Sequence, residues 1–189
     1  MHTRPPAIRR FFAFPNLEVF RISIAVSFDE IDDALIRDMA FEWPRLKELE
    51  LLYYQGFEAD VHSKVTIYGL LPLADSPLFT SLTIHVNATG PPSNVILRPD
   101  GDFYNGALLC LDVGYSQIED SVAVASFLSN VFPNLTDIEA WDNTNGYVDP
   151  LEEGSAPMLW QQVLGFYQPF VCIRRQERDL LCAKVGDHN

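Results

Sequence analysis

The sequence predicts an α/β solenoid in which short parallel strands line a concave face and helices cover the convex face. Two observations carry the prediction. A turn followed by apolar-x-x-apolar-x-apolar occurs five times, over 14–22, 43–51, 76–84, 105–113 and 132–140. Amphipathic, helix-like stretches fill much of the chain between the copies.

Each copy opens on a turn, with Pro15, Pro44, Pro77 and Pro133 in second place and Gly106 in the fourth copy. Proline fixes φ and lacks an N–H, which suits a position just before a strand ladder begins. The copies start 29, 33, 29 and 27 residues apart. That period lies near the upper end of the leucine-rich-repeat range of about 20–29 residues. The last three pattern positions alternate apolar, polar, apolar, the period of a strand with one buried face. Leu49 and Leu51, Leu82 and Ile84, and Leu111 and Val113 should point inward. The preceding Leu17, Leu46, Phe79, Leu108 and Leu135 should fill the same interior.

The helix-like stretches come next. One is expected over 29–42, with Ser27 or Asp29 as cap and Ile31, Leu35, Ile36 and Met39 on one face. A weaker one is expected over 64–74, ended or bent by Pro72. The clearest spans 118–131, with Ser116 or Asp120 near its start. Two more are expected over 156–167 and 174–185, the first with Pro157 at an early, tolerated position. Residues 87–104 read as a loop with a short strand at 95–97, and 142–155 as a second, acidic loop. Strand and helix in alternation also fit a doubly wound sheet. The recurring motif, with no glycine-rich strand-to-helix turn, favours the solenoid. The organisation expected is an N-terminal segment 1–13, flexible or continuing a missing repeat, a repeat domain 14–177, and a helix end and tail 178–189. Nothing before Phe14 looks like a polar cap over the first repeat, so an exposed apolar end and marginal stability are expected.

The chain has 189 residues, 48% of them hydrophobic and 21% charged, with a formal net charge of -13 at pH 7. Such an acidic chain repels phosphate backbones and anionic lipid, so nucleic acid and membrane are poor partners. A basic protein surface is favoured. No run approaches the roughly 18 apolar residues of a membrane helix, and no signal peptide is evident. A cytoplasmic or nuclear protein is expected. Cys110, Cys172 and Cys182 are odd in number and widely spaced, against a disulfide framework or a zinc site. No cofactor is expected.

The 43–51 copy after an acidic helix, the 118–128 helix leading into 132–135, and Trp160-Gln161-Gln162-Val163 followed by Arg174-Arg175-Gln176-Glu177 resemble the leucine-rich-repeat portion of fungal F-box-like proteins. The resemblance covers nearly all of 14–177. It implies the substrate-binding repeats of a receptor in a cullin-type ubiquitin ligase. The F-box that would grip the ligase adaptor is not found in this chain, so an adaptor is expected as partner only if an F-box lies upstream. A stand-alone or degenerate repeat scaffold is the alternative.

Catalytic motifs are lacking: there is no phosphate-binding glycine loop and no Gly-x-Ser-x-Gly elbow. His2, His62, His85 and His188 are scattered. The acidic pairs Asp29-Glu30, Asp32-Asp33 and Glu152-Glu153 read as helix starts and solvated loops. An enzyme is therefore not expected. The candidate site is the outward column of the strands: Arg21, Glu50, Thr83, Asp112 and Glu139, with Val19, Glu48, Ser81, Cys110 and Asp137 beside it. Trp43 should pack inside. Trp141, two residues past Glu139, is a candidate anchor for a partner.

Overall fold

The computed structural model describes residues 7–23, 31–52, 63–90, 106–141 and 152–186. It is a mixed α/β structure built on a five-stranded parallel sheet. The strands are β1 (Val19–Ser23), β2 (Glu48–Leu52), β3 (Ser81–Ile84), β5 (Cys110–Asp112) and β7 (Asp137–Glu139). They lie in the order β1-β2-β3-β5-β7, the order of the chain itself. A doubly wound sheet reverses direction at a switch point; this one does not. The sheet is open, with β1 and β7 as its two edges, so no barrel closes.

Every motif copy is a strand, and the copies pair in step. Phe20, Leu49, Leu82, Leu111 and Ile138 are partners across the sheet. Leu49, Leu82 and Leu111 are buried, as are Leu51, Ile84 and Val113 two positions on. The strand-entry residues Leu46, Phe79, Leu108 and Leu135 are buried too. The alternation works because register in a half-buried sheet is fixed: a one-residue slip would turn every leucine outward.

A second, shorter set of parallel pairings runs beyond the C-terminal ends of the strands. Asp32 bridges Lys64, Thr66 bridges Asn87, and β4 (Asn87–Ala88) pairs with β6 (Gln117–Ile118). Each of the first four units is thus joined twice to the next within that group. Asn87–Ala88 is strand rather than the start of a loop. The strand expected at 95–97 lies outside the described residues.

The helices depart from expectation at their ends. The first, α1 (Asp33–Glu42), starts four residues late, and its cap is Asp32, whose carboxylate accepts from the Leu35 N–H at 2.8 Å. Ser27 and Asp29, the caps expected, lie outside the described residues. Asp33 is occupied as well: it accepts from Thr66 N at 2.7 Å and Thr66 Oγ1 at 2.8 Å. The 64–74 stretch is a 3₁₀ helix, Ile67–Asp75, not an α-helix. Pro72 has no N–H for an α-helical bond, and the tighter 3₁₀ turn fits a short segment. Gly69 is needed there, since a Cβ would fall 2.0 Å from Asp33 Oδ1. The next helix, α2 (Ser121–Val131), is capped by Asp120, which accepts from Val122 N and Ala123 N.

The two C-terminal helices are one, α3 (Ala156–Gly186), running through Pro169. Proline inside a helix removes one hydrogen bond and crowds the carbonyl four residues back. Here that residue is Gly165, which is exposed like Pro169, so water can take the released carbonyl. The buried stripe Trp160, Val163, Tyr167 and Val171 crosses the proline unbroken. Packing against α2 therefore outweighs the local break.

Within 1–13, residues Ala7–Ala13 form a 3₁₀ helix that covers the first strand unit. Ile8 is buried, Phe11 meets Phe20 edge-on with ring centroids 5.3 Å apart, and Phe12 meets Trp43 the same way. The Trp43 indole is fully buried and donates to the Phe11 carbonyl. Arg9 pairs with Asp38. This cover is aromatic, so no polar cap pattern announced it. Among the described residues no helix is long and apolar enough to cross a membrane.

Candidate protein-docking face

Because the inward positions of the strands are apolar, the residues between them must face away from the core. The pairing aligns them into two rows. Arg21, Glu50, Thr83, Asp112 and Glu139 are mutual partners across five strands. So are Val19, Glu48, Ser81, Cys110 and Asp137. All ten are exposed or half-exposed. Neighbouring strands lie about 4.8 Å apart, so each row is a closely spaced ladder of side chains.

The two halves of this face differ. Over β1 and β2 the acids are neutralised locally. Arg21 pairs with Glu48 at 2.5 Å and with Glu50 at 3.6 Å. At the strand entry, Lys47 and Arg45 hold Glu18, and the Lys47 hydrogen bond followed by its charge lowers the Glu18 pKa. Over β5 and β7 stand Asp112, Asp137 and Glu139, with no arginine or lysine in either row of that half. Asp112 and Glu139 occupy directly paired positions, so two carboxylates sit on adjacent strands. Their repulsion is modest in water but works against the fold.

The face ends in a row of rings beyond the strands. His85 follows β3, Tyr115 follows β5 and Trp141 follows β7. The His85 and Tyr115 centroids are 6.3 Å apart; those of Tyr115 and Trp141 are 5.4 Å apart with the planes at 88°. His85 is buried, and that burial pulls its pKa below the usual value, with Asp112 opposing the shift. Gly114, at φ +52°, lies flat against it; a Cβ would fall 2.2 Å from His85 Nε2.

Trp141 is not part of the outward column. Strand β7 stops at Glu139, and the chain turns at Trp141 with φ 52°. The Trp141 amide donates to the Gly114 carbonyl and its indole N–H to the Ser116 carbonyl, each at 2.9 Å. Trp160 donates to that same carbonyl. Trp141 is half-buried and packs in part against the core. Tyr115, 42% exposed, escaped the sequence reading. It sits outside the repeat motif, and only the folded chain brings it beside Trp141.

Cys110 and Cys172 are free and exposed, Cys110 within the second outward row. Among the described residues no group of three or more His, Cys, Asp or Glu side chains could hold a metal ion. Asp32 caps α1 and Asp33 holds Thr66, and Glu152 and Glu153 lie exposed in a turn before α3; Asp29 and Glu30 fall outside the described residues. Asn134 is exposed and donates to the Gly106 carbonyl. No protein-family model, curated protein or solved structure matches the chain.

Proposed function

We propose that the chain is a leucine-rich-repeat solenoid whose outward strand face docks a basic segment of a partner protein. The observation that carries this reading is the pair of in-register rows, acidic over β5 and β7, on a face built of two residues from each repeat unit. Solenoids use such extended faces for binding. The unreversed strand order and the double joining of the first four units support the repeat reading. A basic segment laid over this acidic half would meet opposite charge, and a chain of charge -13 would speed its arrival. The function that follows is recognition without chemistry. In a longer protein carrying an F-box ahead of this chain, the face would select the protein to be ubiquitylated, and a cullin adaptor would co-purify.

The test is binding of a labelled ten-residue Lys/Arg peptide by fluorescence anisotropy over a salt series. The double variant Glu50→Lys/Asp112→Lys should weaken binding about tenfold at low salt and flatten the salt dependence. The control Glu152→Lys/Glu153→Lys makes the same change in net charge away from the face. Equal loss in both variants would mean that net charge alone attracts the peptide, and would overturn the assignment.

A further inference from the structure

The row of rings at the strand ends has features that packing alone does not require. Tyr115 keeps 42% of its surface exposed, at the point where the central acidic row ends. Trp141 holds a left-handed backbone conformation, unusual for a bulky residue. Backbone of this kind persists only where its surroundings over-determine it, and it gathers at ligand clamps. The surroundings here are two hydrogen bonds that fix the indole against the turn after β5. That turn is itself pinned: Ser116 Oγ accepts from Val86 N at 2.7 Å and donates to the Val113 carbonyl. Tyr115 and Trp141 thus stand edge to face, as two nearly perpendicular aromatic planes. Asp112 lies three residues before Tyr115, and Glu139 two before Trp141.

We propose that Tyr115 and Trp141 form a two-walled corner that takes an arginine side chain of the docked segment, beside the carboxylates of Asp112 and Glu139. The proposal rests on the docking reading above and narrows its partner. A guanidinium is flat and weakly hydrated. It stacks on one ring, meets the second wall edge-on, and still turns its N–H fork toward a carboxylate. A lysine ammonium is compact, strongly hydrated and has no flat face. An alkylated ammonium is best held by rings on several sides, and this corner has two. Arginine is therefore preferred over both.

The experiment uses the full chain and three labelled peptides of one sequence frame and equal charge. They carry arginine, lysine or trimethyl-lysine at the basic positions. Wild type should bind the arginine peptide roughly fivefold tighter than the other two. Tyr115→Leu should erase that preference by weakening the arginine peptide more than the lysine peptide, while Tyr115→Phe should keep it. Equal affinity of wild type for the three peptides, or a preference for trimethyl-lysine, overturns the corner while the docking face stands. So does a Tyr115→Leu variant that weakens all three alike. Failure of wild type to bind any of them overturns the docking face, and the corner with it.

Discussion

Tyr167→Phe isolates one hydroxyl that ties α3 to the last turn of the sheet. The ring is 2% exposed and lies in the stripe that packs on α2. Its hydroxyl donates to the Phe132 carbonyl at 2.6 Å and accepts from the Leu135 N–H at 3.0 Å. Phe132 and Leu135 bracket the turn that launches β7, and both are buried. Phenylalanine keeps the ring and its packing and removes only the oxygen. Two buried backbone groups then lose their partner. An unsatisfied buried group costs about 1–3 kcal/mol, so the pair should cost roughly 2–4 kcal/mol. In a chain of this length, 1 kcal/mol moves Tm by about 2–4 °C. A fall of about 10 °C is expected, measured by far-ultraviolet circular dichroism at neutral pH. The same hydroxyl gives a pH signature. Burial pushes the Tyr167 pKa up to about 12 from the usual 10. The unfolded chain ionises first, so the stability held by the neutral phenol is complete below pH 10. It is lost as pH rises from 10 through about 12. Wild type should therefore lose its advantage over Tyr167→Phe across that window. A variant that melts within 2 °C of wild type at neutral pH would refute the reasoning, because it would mean that the two backbone groups do not depend on the hydroxyl.

Gly114→Ala forces a side chain onto a left-handed residue and drives its Cβ into the buried His85 ring. It should destabilise by about 2–4 kcal/mol in a urea titration, combining strained backbone with overpacking. Trp43→Ala opens a cavity against Phe12 and Phe20 and releases the 3₁₀ helix over 7–13. It should cost about 3–5 kcal/mol and expose the amides of 7–13 to rapid hydrogen exchange; continued protection there would refute the placement. Pro169→Ala restores the N–H that can reach the Gly165 carbonyl. It should raise the melting temperature, and a lowered one would mean that the break at proline is needed for α3 to follow the body of the protein.

The strands were legible because their signal is local and repeated. Each copy of the motif carries its own period-2 alternation, and five copies fix a common register. The two outward rows, from Arg21 to Glu139 and from Val19 to Asp137, could therefore be written down in advance. The burial of Trp43 was expected from its place at a strand-entry turn; Phe132 at the same place is buried too, but Phe14 is 59% exposed. The helices were less legible, because their ends depend on which acid reaches which amide. Ser27 and Asp29 were the caps expected for α1, and only the approach of the 64–66 segment to Asp32 and Asp33 separates cap from cross-link. Pro72 and Pro169 look alike in sequence. One sits in a short 3₁₀ segment, while the other is absorbed into a long helix because Tyr167 and Val171 carry the buried stripe past it. The ring row at the strand ends was illegible for another reason. His85, Tyr115 and Trp141 belong to no common motif and are separated by 30 and 26 residues. Amino-acid order alone settled which side chains face into the sheet and which face out, since alternation is a property of neighbours along the chain. The tertiary structure decided what meets at the ends of the strands, since that depends on turns whose geometry is set by partners far away in sequence.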